Sequence, residues 1–363
     1  MAKPVDSPMP NPMPEEEMLN WGRLLLDGLP YADLVAARDR AGGVSWFDHW
    51  MTAADRYERL ADDALRTGHR RTAAELLLTG ALAAQYGQFL WFDDRRQRGQ
   101  RRKAELYRRA APLLDPPAHR FDLPIDDTSI PGYLRVPPLP PHATAPQPCV
   151  VLIGGLESTK EESFRFEELL LQRGMAVATF DGPGQGEMFP RTPLRGDFER
   201  YTSMVVDALV DDPRVDSGRI AVLGRSLGGH YALRSASLDP RLVACVSWGG
   251  FVDMDEWDAE TPMTKESWRY VSQVDTLDEA RAHVRKHLDV RPVLPQLQVP
   301  TYVLHGSLDE IPDAELDVLR ECAPHAPLDI VVEPLGDHCC HNLGPEPRLR
   351  MADWLADRLG TAM

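Results

Sequence analysis

Ile220-Ala221-Val222-Leu223-Gly224-Arg225-Ser226-Leu227-Gly228-Gly229 runs from an unbroken apolar stretch into a serine flanked by glycines, then into helix-forming sequence. A serine two residues from a glycine on either side is common in glycine-rich turns and means little alone. Here a buried strand precedes it and a helix follows, which is the setting of a nucleophile elbow: a tight turn that exposes one hydroxyl. The helix N-terminus behind Ser226 also favours developing negative charge.

Outward from this turn the chain alternates apolar strands with helices. Cys149 to Ile153, Met175 to Phe180, Arg219 to Leu223 and Leu242 to Trp248 read as strands. Glu161 to Arg173, Asp197 to Val210 and Leu227 to Leu238 read as the helices between them. Strands apolar throughout, separated by helices, imply a parallel sheet covered on both faces. Arg120 to Ile125 and Ser129 to Val136 are shorter strands before a proline-rich loop, Pro137 to Pro148. Phe251 to Gln296 breaks the rhythm and reads as an excursion over the sheet edge. Val299 to His305 and Leu328 to Val332 resume the strands, and Glu346 to Leu359 ends the chain as a helix. The fold class is α/β, an α/β-hydrolase domain over residues 117–363.

Upstream the apolar period is helical. Glu15 to Leu29, Tyr31 to Arg40, Trp46 to Thr67, His69 to Trp91 and Asp94 to Leu114 form an all-helical cap domain over 15–116, punctuated by Gly42-Gly43, Gly68 and Pro116-Pro117. Residues 1–14, dense in proline, read as a flexible tail without the apolar core of a signal peptide.

Composition narrows the partners. The net charge of −16 and the absence of a basic stripe argue against nucleic acid and anionic membrane surfaces. No apolar run reaches the length of a membrane span. Five cysteines (149, 245, 322, 339 and 340) follow no disulfide framework, which fits a reduced, cytoplasmic protein acting on a small molecule. No cofactor is expected.

A serine nucleophile needs a base and an orienting acid, in this fold in the order serine, acid, histidine. Asp309 ends the strand Tyr302-Val303-Leu304-His305 in an acidic turn, with Glu310 and Asp313 as competitors. His338 follows the last strand, with His341 as its rival or as a core histidine. The run His338-Cys339-Cys340-His341 could suggest a metal, but contiguous ligands cannot easily surround one tetrahedral ion, so Cys339 and Cys340 read as packing residues. Oxyanion donors fall to the amide of Leu227 and to that of Leu156 in the Gly154-Gly155-Leu156-Glu157 loop, where Gly155 lets the backbone approach a ligand. The segment Asp181-Gly182-Pro183-Gly184-Gln185-Gly186-Glu187 lacks a phosphate-loop lysine and reads as a structural turn.

Three segments together, Gly154 to Glu162, Gly224 to Gly229 and Gly336 to Asn342, resemble the dihydroxypseudooxynicotine hydrolase group, which includes carbon–carbon bond hydrolases and polyketide-shortening hydrolases. The resemblance runs from the helical block to the end of the chain. It implies a helical roof over the site, a homodimer, and a triad working with an extra glutamate; carried over, these positions are Ser226, Asp309, His338 and Glu157. A carboxylate beside an oxyanion hole would repel an ordinary ester intermediate, yet as a proton donor it could hold a phenol, enol or ketone. The bland alternative for Glu157 is a solvated first-turn glutamate. The expected reaction is hydrolysis of a carbon–carbon bond next to a ketone on an aromatic or polyketide-like molecule. A bond-forming tailoring enzyme and a plain carboxylesterase are the rivals, and a catalytically dead binding protein is disfavoured because the triad is complete and in order.

Overall fold

The strands that read as apolar throughout do so because both of their faces are covered. On the strand Gln147–Ile153, Cys149, Val151 and Ile153 pack into one core and Val150 and Leu152 into another, the period-two alternation of a sheet buried on both sides. The computed structural model describes residues 21–39, 44–89, 91–138 and 145–361. The tail assigned to residues 1–14 and the Gly42-Gly43 break lie outside them.

Five helices come first: α1 (Trp21–Asp27), α2 (Tyr31–Arg38), α3 (Trp46–Arg66), α4 (Arg70–Gln88) and α5 (Asp94–Ala110). The Ser45 hydroxyl caps α3 by accepting from the Asp48 amide at 3.1 Å. One face of α3 buries Trp46, Phe47, Trp50, Ala53 and Ala54. Helix α4 lies between α3 and α5 and is buried almost all round, which its many alanines permit. Helix α5 is mostly charged; Arg102 reaches Asp55 at 2.8 Å and Arg109 reaches Glu58 at 2.5 Å, tying it to α3.

The sheet follows: β1 (Ala118–Ile125), β2 (Thr128–Arg135), β3 (Gln147–Ile153), β4 (Ala176–Phe180), β5 (Val215–Arg225), β6 (Leu242–Trp248), β7 (Thr301–Gly306) and β8 (Leu328–Glu333). Their order is β1-β2-β4-β3-β5-β6-β7-β8. β1–β2 and β2–β4 pair antiparallel, and every other pair is parallel. Helices α7 (Phe198–Val210) and α8 (Leu227–Leu238) cover one face, and α6 (Phe164–Leu171) and α12 (Glu346–Leu359) the other. This is the α/β-hydrolase architecture.

Three elements differ from the sequence reading. Helix α6 starts at Phe164 rather than Glu161, because Lys160, Glu161 and Glu162 are buried in ion pairs. β5 runs on to Arg225, which pairs in register with Trp248 of β6. An unread helix, α11 (Ala314–Cys322), lies between β7 and β8; it buries only Leu316 and Leu319, too few to show a helical stripe. The excursion after Phe251 contains α9 (Pro262–Ser272) and α10 (Leu277–His287), the latter opened by a capping box between Thr276 and Glu279. Phe251, Met254, Trp257 and Trp268 anchor it to the sheet's core.

A buried charge cluster pins the helical block to the sheet. The Lys160 ammonium lies 2.6 Å from Asp181, 2.7 Å from Glu161 and 2.7 Å from Glu187. Lys103 of α5 reaches Glu161 at 3.4 Å and also contacts Thr159. Burial opposes the Lys160 charge, but the three carboxylates outweigh it and raise its pKa. Lys160→Met should strand Asp181 as a buried carboxylate without its cation, leave Glu161 to Lys103 alone, and destabilise folding by about 3–5 kcal/mol, read by urea denaturation. A change below about 1 kcal/mol would show that the cluster does not hold the two layers together.

Candidate active site

The elbow forms where β5 meets α8. Ser226 adopts φ 57° and ψ −123°, a conformation a non-glycine residue holds only when its surroundings enforce it. Its amide donates to the Trp248 carbonyl at 2.7 Å, and its carbonyl accepts from the Gly229 amide at 2.7 Å. The flanking glycines are a steric requirement. A Cβ on Gly224 would lie 1.8 Å from the Gly228 carbonyl oxygen, and one on Gly228 would lie 2.2 Å from that of Ile153.

Two distant segments complete the constellation. His338 Nε2 lies 2.9 Å from Ser226 Oγ, and its Nδ1 lies 2.9 and 3.1 Å from the Asp309 carboxylate oxygens. Asp309 Oδ1 also accepts from the Ile311 amide at 3.0 Å. With Nδ1–H donated to Asp309, the Nε2 lone pair faces the serine hydroxyl. Burial pushes the Asp309 carboxyl up, but His338 and the Ile311 amide outweigh it and hold the group below the usual carboxylate range. Burial works against the charged His338 ring; the Cys339 sulfur and the Asp309 carboxylate favour it and win, so the imidazolium persists well above the usual histidine range.

The loop carrying His338 is conformationally costly. Leu335, Cys339 and Cys340 all have φ between 54° and 61°. The Trp248 indole donates to the Cys339 carbonyl at 2.7 Å, and Asn342 ties the loop at Leu335 and Asp337, which holds it in place. Cys339, Cys340 and His341 are buried; Cys339 and His341 also line the cavity that holds Ser226, and His341 lies beside the Trp248 ring. Among the competitors, Asp313 lies 3.2 Å from His305, while Glu310 lines the cavity in front of His338.

The loop after β3 packs directly on the elbow: a Cβ on Gly155 would lie 3.2 Å from that of Ser226. The Ser158 amide closes a turn onto the Gly155 carbonyl at 3.2 Å, leaving Leu156 and Glu157 at its tip. Among the described residues, neither the Leu156 nor the Leu227 amide donates to a protein oxygen. The turn after β4 serves this loop, since Gln185 Nε2 donates to the Gly154 and Gly155 carbonyls at 2.7 and 3.2 Å.

Ser226, His338, Glu157, Leu156 and Gly155 all line one cavity of about 280 Å³. Sequence reasoning missed its other walls. Arg23 and Phe89 come from the helical block, and Phe251, Glu260 and Trp268 from the excursion. Burial and the neighbouring Glu310 push Glu260 up to about 7, and burial pushes Glu315 up to about 7. Of the metal-capable groups, Glu161, Asp181 and Glu187 cluster outside this cavity, around the Lys160 ammonium.

Comparison with known proteins places the chain among the α/β-hydrolases. The model of the FrsA-like esterases matches residues 35–260, and that of the prolyl oligopeptidase family residues 162–360. The 2,6-dihydropseudooxynicotine hydrolase of Paenarthrobacter nicotinovorans is 59% identical over 95% of this chain and 93% of its own. A crystal structure of 2,6-dihydroxy-pseudo-oxynicotine hydrolase superposes with a TM-score of 0.91 at 57% identity, covering 95% of this chain and 97% of the other. The 20-hydroxy-prefusarin hydrolase of Gibberella moniliformis is 35% identical over 58% of this chain and 53% of its own.

The His338 charge sets a pH dependence. Because its pKa is raised, the ring is protonated and unable to act as a base at low pH. kcat/KM should therefore climb with pH through an apparent pKa above about 6.5. Removing the carboxylate in Asp309→Asn should lower the plateau and move that limb to lower pH. A limb that stays in place in the variant would dissociate His338 from the observed titration.

Proposed function

We propose that this chain, which belongs to the FrsA-like esterase family of α/β-hydrolases and is 59% identical to a dihydropseudooxynicotine hydrolase, hydrolyses a carbon–carbon bond next to a ketone on an aromatic or polyketide-like substrate. The chain is a hydrolase. The observation that carries the reading is the 2.9 Å approach of His338 Nε2 to Ser226 Oγ inside a cavity that also presents Glu157.

In the route we favour, Ser226 Oγ adds to the ketone carbon as His338 takes its proton. The oxyanion is held by the amides of Leu156 and Leu227. The carbon–carbon bond then breaks, its electron pair leaving with the substrate carbon. Glu157 holds the enol or phenol oxygen that shares this charge, and the imidazolium returns a proton. Water activated by His338 releases the acid and frees Ser226. In the second route His338 activates water directly against the ketone. An acyl group trapped on Ser226 separates the two.

The partners and location follow the same reading: a small-molecule substrate, a homodimer and the cytoplasm. The five cysteines are all unpaired, as in a reducing compartment, and no described helix is long and apolar enough to cross a membrane. Light scattering should give twice the chain mass of 40.7 kDa.

Ser226→Ala, His338→Ala and Asp309→Asn should each lose turnover by a similar large factor, on the order of 10⁴, because triad members act as a unit. Glu157→Gln should spare small activated esters and abolish cleavage of the ketone substrate. Equal losses on both would remove the role given to Glu157. Reaction in oxygen-18 water must label the acid product; unlabelled product would favour a bond-forming enzyme.

A further inference from the structure

Arg225, directly before the nucleophile, is nearly buried, and its guanidinium reaches three places at once. Nη1 lies 3.2 Å from Asp27 Oδ2 at the end of α1. Nη2 donates to Ser158 Oγ at 3.3 Å and makes a close ion pair with Glu162. Ser158 and Glu162 belong to the loop that carries Leu156, whereas Arg225 belongs to the elbow that carries Leu227. One side chain therefore spans the two segments that supply the oxyanion donors.

The helical block holds this strut in place. Asp27 also accepts from Arg348 of α12 at 3.1 Å and from the Tyr86 hydroxyl of α4 at 2.5 Å. Glu162 also accepts from Gln85 of α4 at 2.7 Å and from Arg23 of α1 at 3.2 Å. Burial opposes the Asp27 charge, but Arg225, Arg348 and Arg23 outweigh it and hold the carboxyl at about 2. A carboxylate in the last position of a helix is disfavoured by the helix dipole, so Asp27 owes its charge to these arginines and not to α1.

We propose that Arg225 is a positioning residue that fixes the separation of the Leu156 and Leu227 amides, and that Asp27 of the helical block holds Arg225 in that position. The helical block thereby acts on the chemistry through the elbow as well as by walling the cavity. The inference rests on the reading that Ser226 is the nucleophile and that these two amides stabilise the oxyanion.

Arg225→Met keeps length and packing while removing the guanidinium, and Asp27→Asn removes one of its two counter-charges. Both should lower kcat about a hundredfold, the scale of a lost oxyanion donor, with KM changed less than threefold and the His338 pH limb unmoved. A trifluoromethyl ketone, whose adduct needs both amides, should bind weaker by the same factor, while a ground-state competitive inhibitor should bind unchanged. Arg225→Lys should recover part of the loss. Should the first two variants fail to fold, Ser158→Ala, which frees one contact, should still cost about tenfold in kcat. Folded variants with kcat within threefold of the parent would overturn the proposal, as would equal weakening of both inhibitors. An active Ser226→Ala enzyme would instead sink the underlying reading, so the two failures are distinguishable.

Discussion

A hydroxyl and an imidazole that are 112 residues apart in sequence meet at 2.9 Å, and most of the molecule is arranged around that contact. The serine is held at the tip of a strand-to-helix turn whose positive φ only tight packing maintains. The histidine sits on a loop with its own left-handed residues, held by the Trp248 indole and by Asn342. Both ends are set at the carboxyl edge of the parallel sheet, where strands stop and loops can carry chemistry. Unfavourable backbone geometry on both sides persists because the two segments are packed against the same strand, β6.

Two buried ionic clusters fix how the helical block sits on this edge. One surrounds Lys160 and joins α5 to the turns after β3 and β4. The other surrounds Arg225 and joins α1 and α4 to the elbow and the final helix. Buried ion pairs seldom add much net stability, since desolvation offsets their attraction, but each leaves a severe penalty if one partner moves away. Any docking geometry that separates the partners therefore carries that penalty. That matters for a cavity whose walls come from the helical block, the loop after β3 and the excursion together.

The fold and the meeting of Ser226, His338 and Asp309 were legible in the sequence because their signals are local and stereotyped. Unbroken apolar strands such as Cys149–Ile153 announce a sheet buried on both faces, and Gly224 to Gly228 must be small because backbone passes where a Cβ would sit. Asp309 and His338 follow from chain order at strand ends. Helix α11 was not legible, since two buried leucines leave no periodic stripe. Nor were the roles of Asp27, Lys160, Glu162 and Arg225: charged residues are read as solvated unless their partners are known, and these partners lie up to 321 positions away. The cavity's aromatic and acidic walls come from the excursion, whose path over the sheet no periodicity encodes.

The central claim is that Ser226 is a nucleophile made reactive by His338. Treating the protein with a fluorophosphonate and mapping the adduct by peptide mass spectrometry tests it most directly. Labelling confined to the peptide containing Ser226, and slowed at least a thousandfold in a folded His338→Ala variant, is the expected result. An unlabelled Ser226, or a labelling rate indifferent to the loss of the imidazole, would contradict the account.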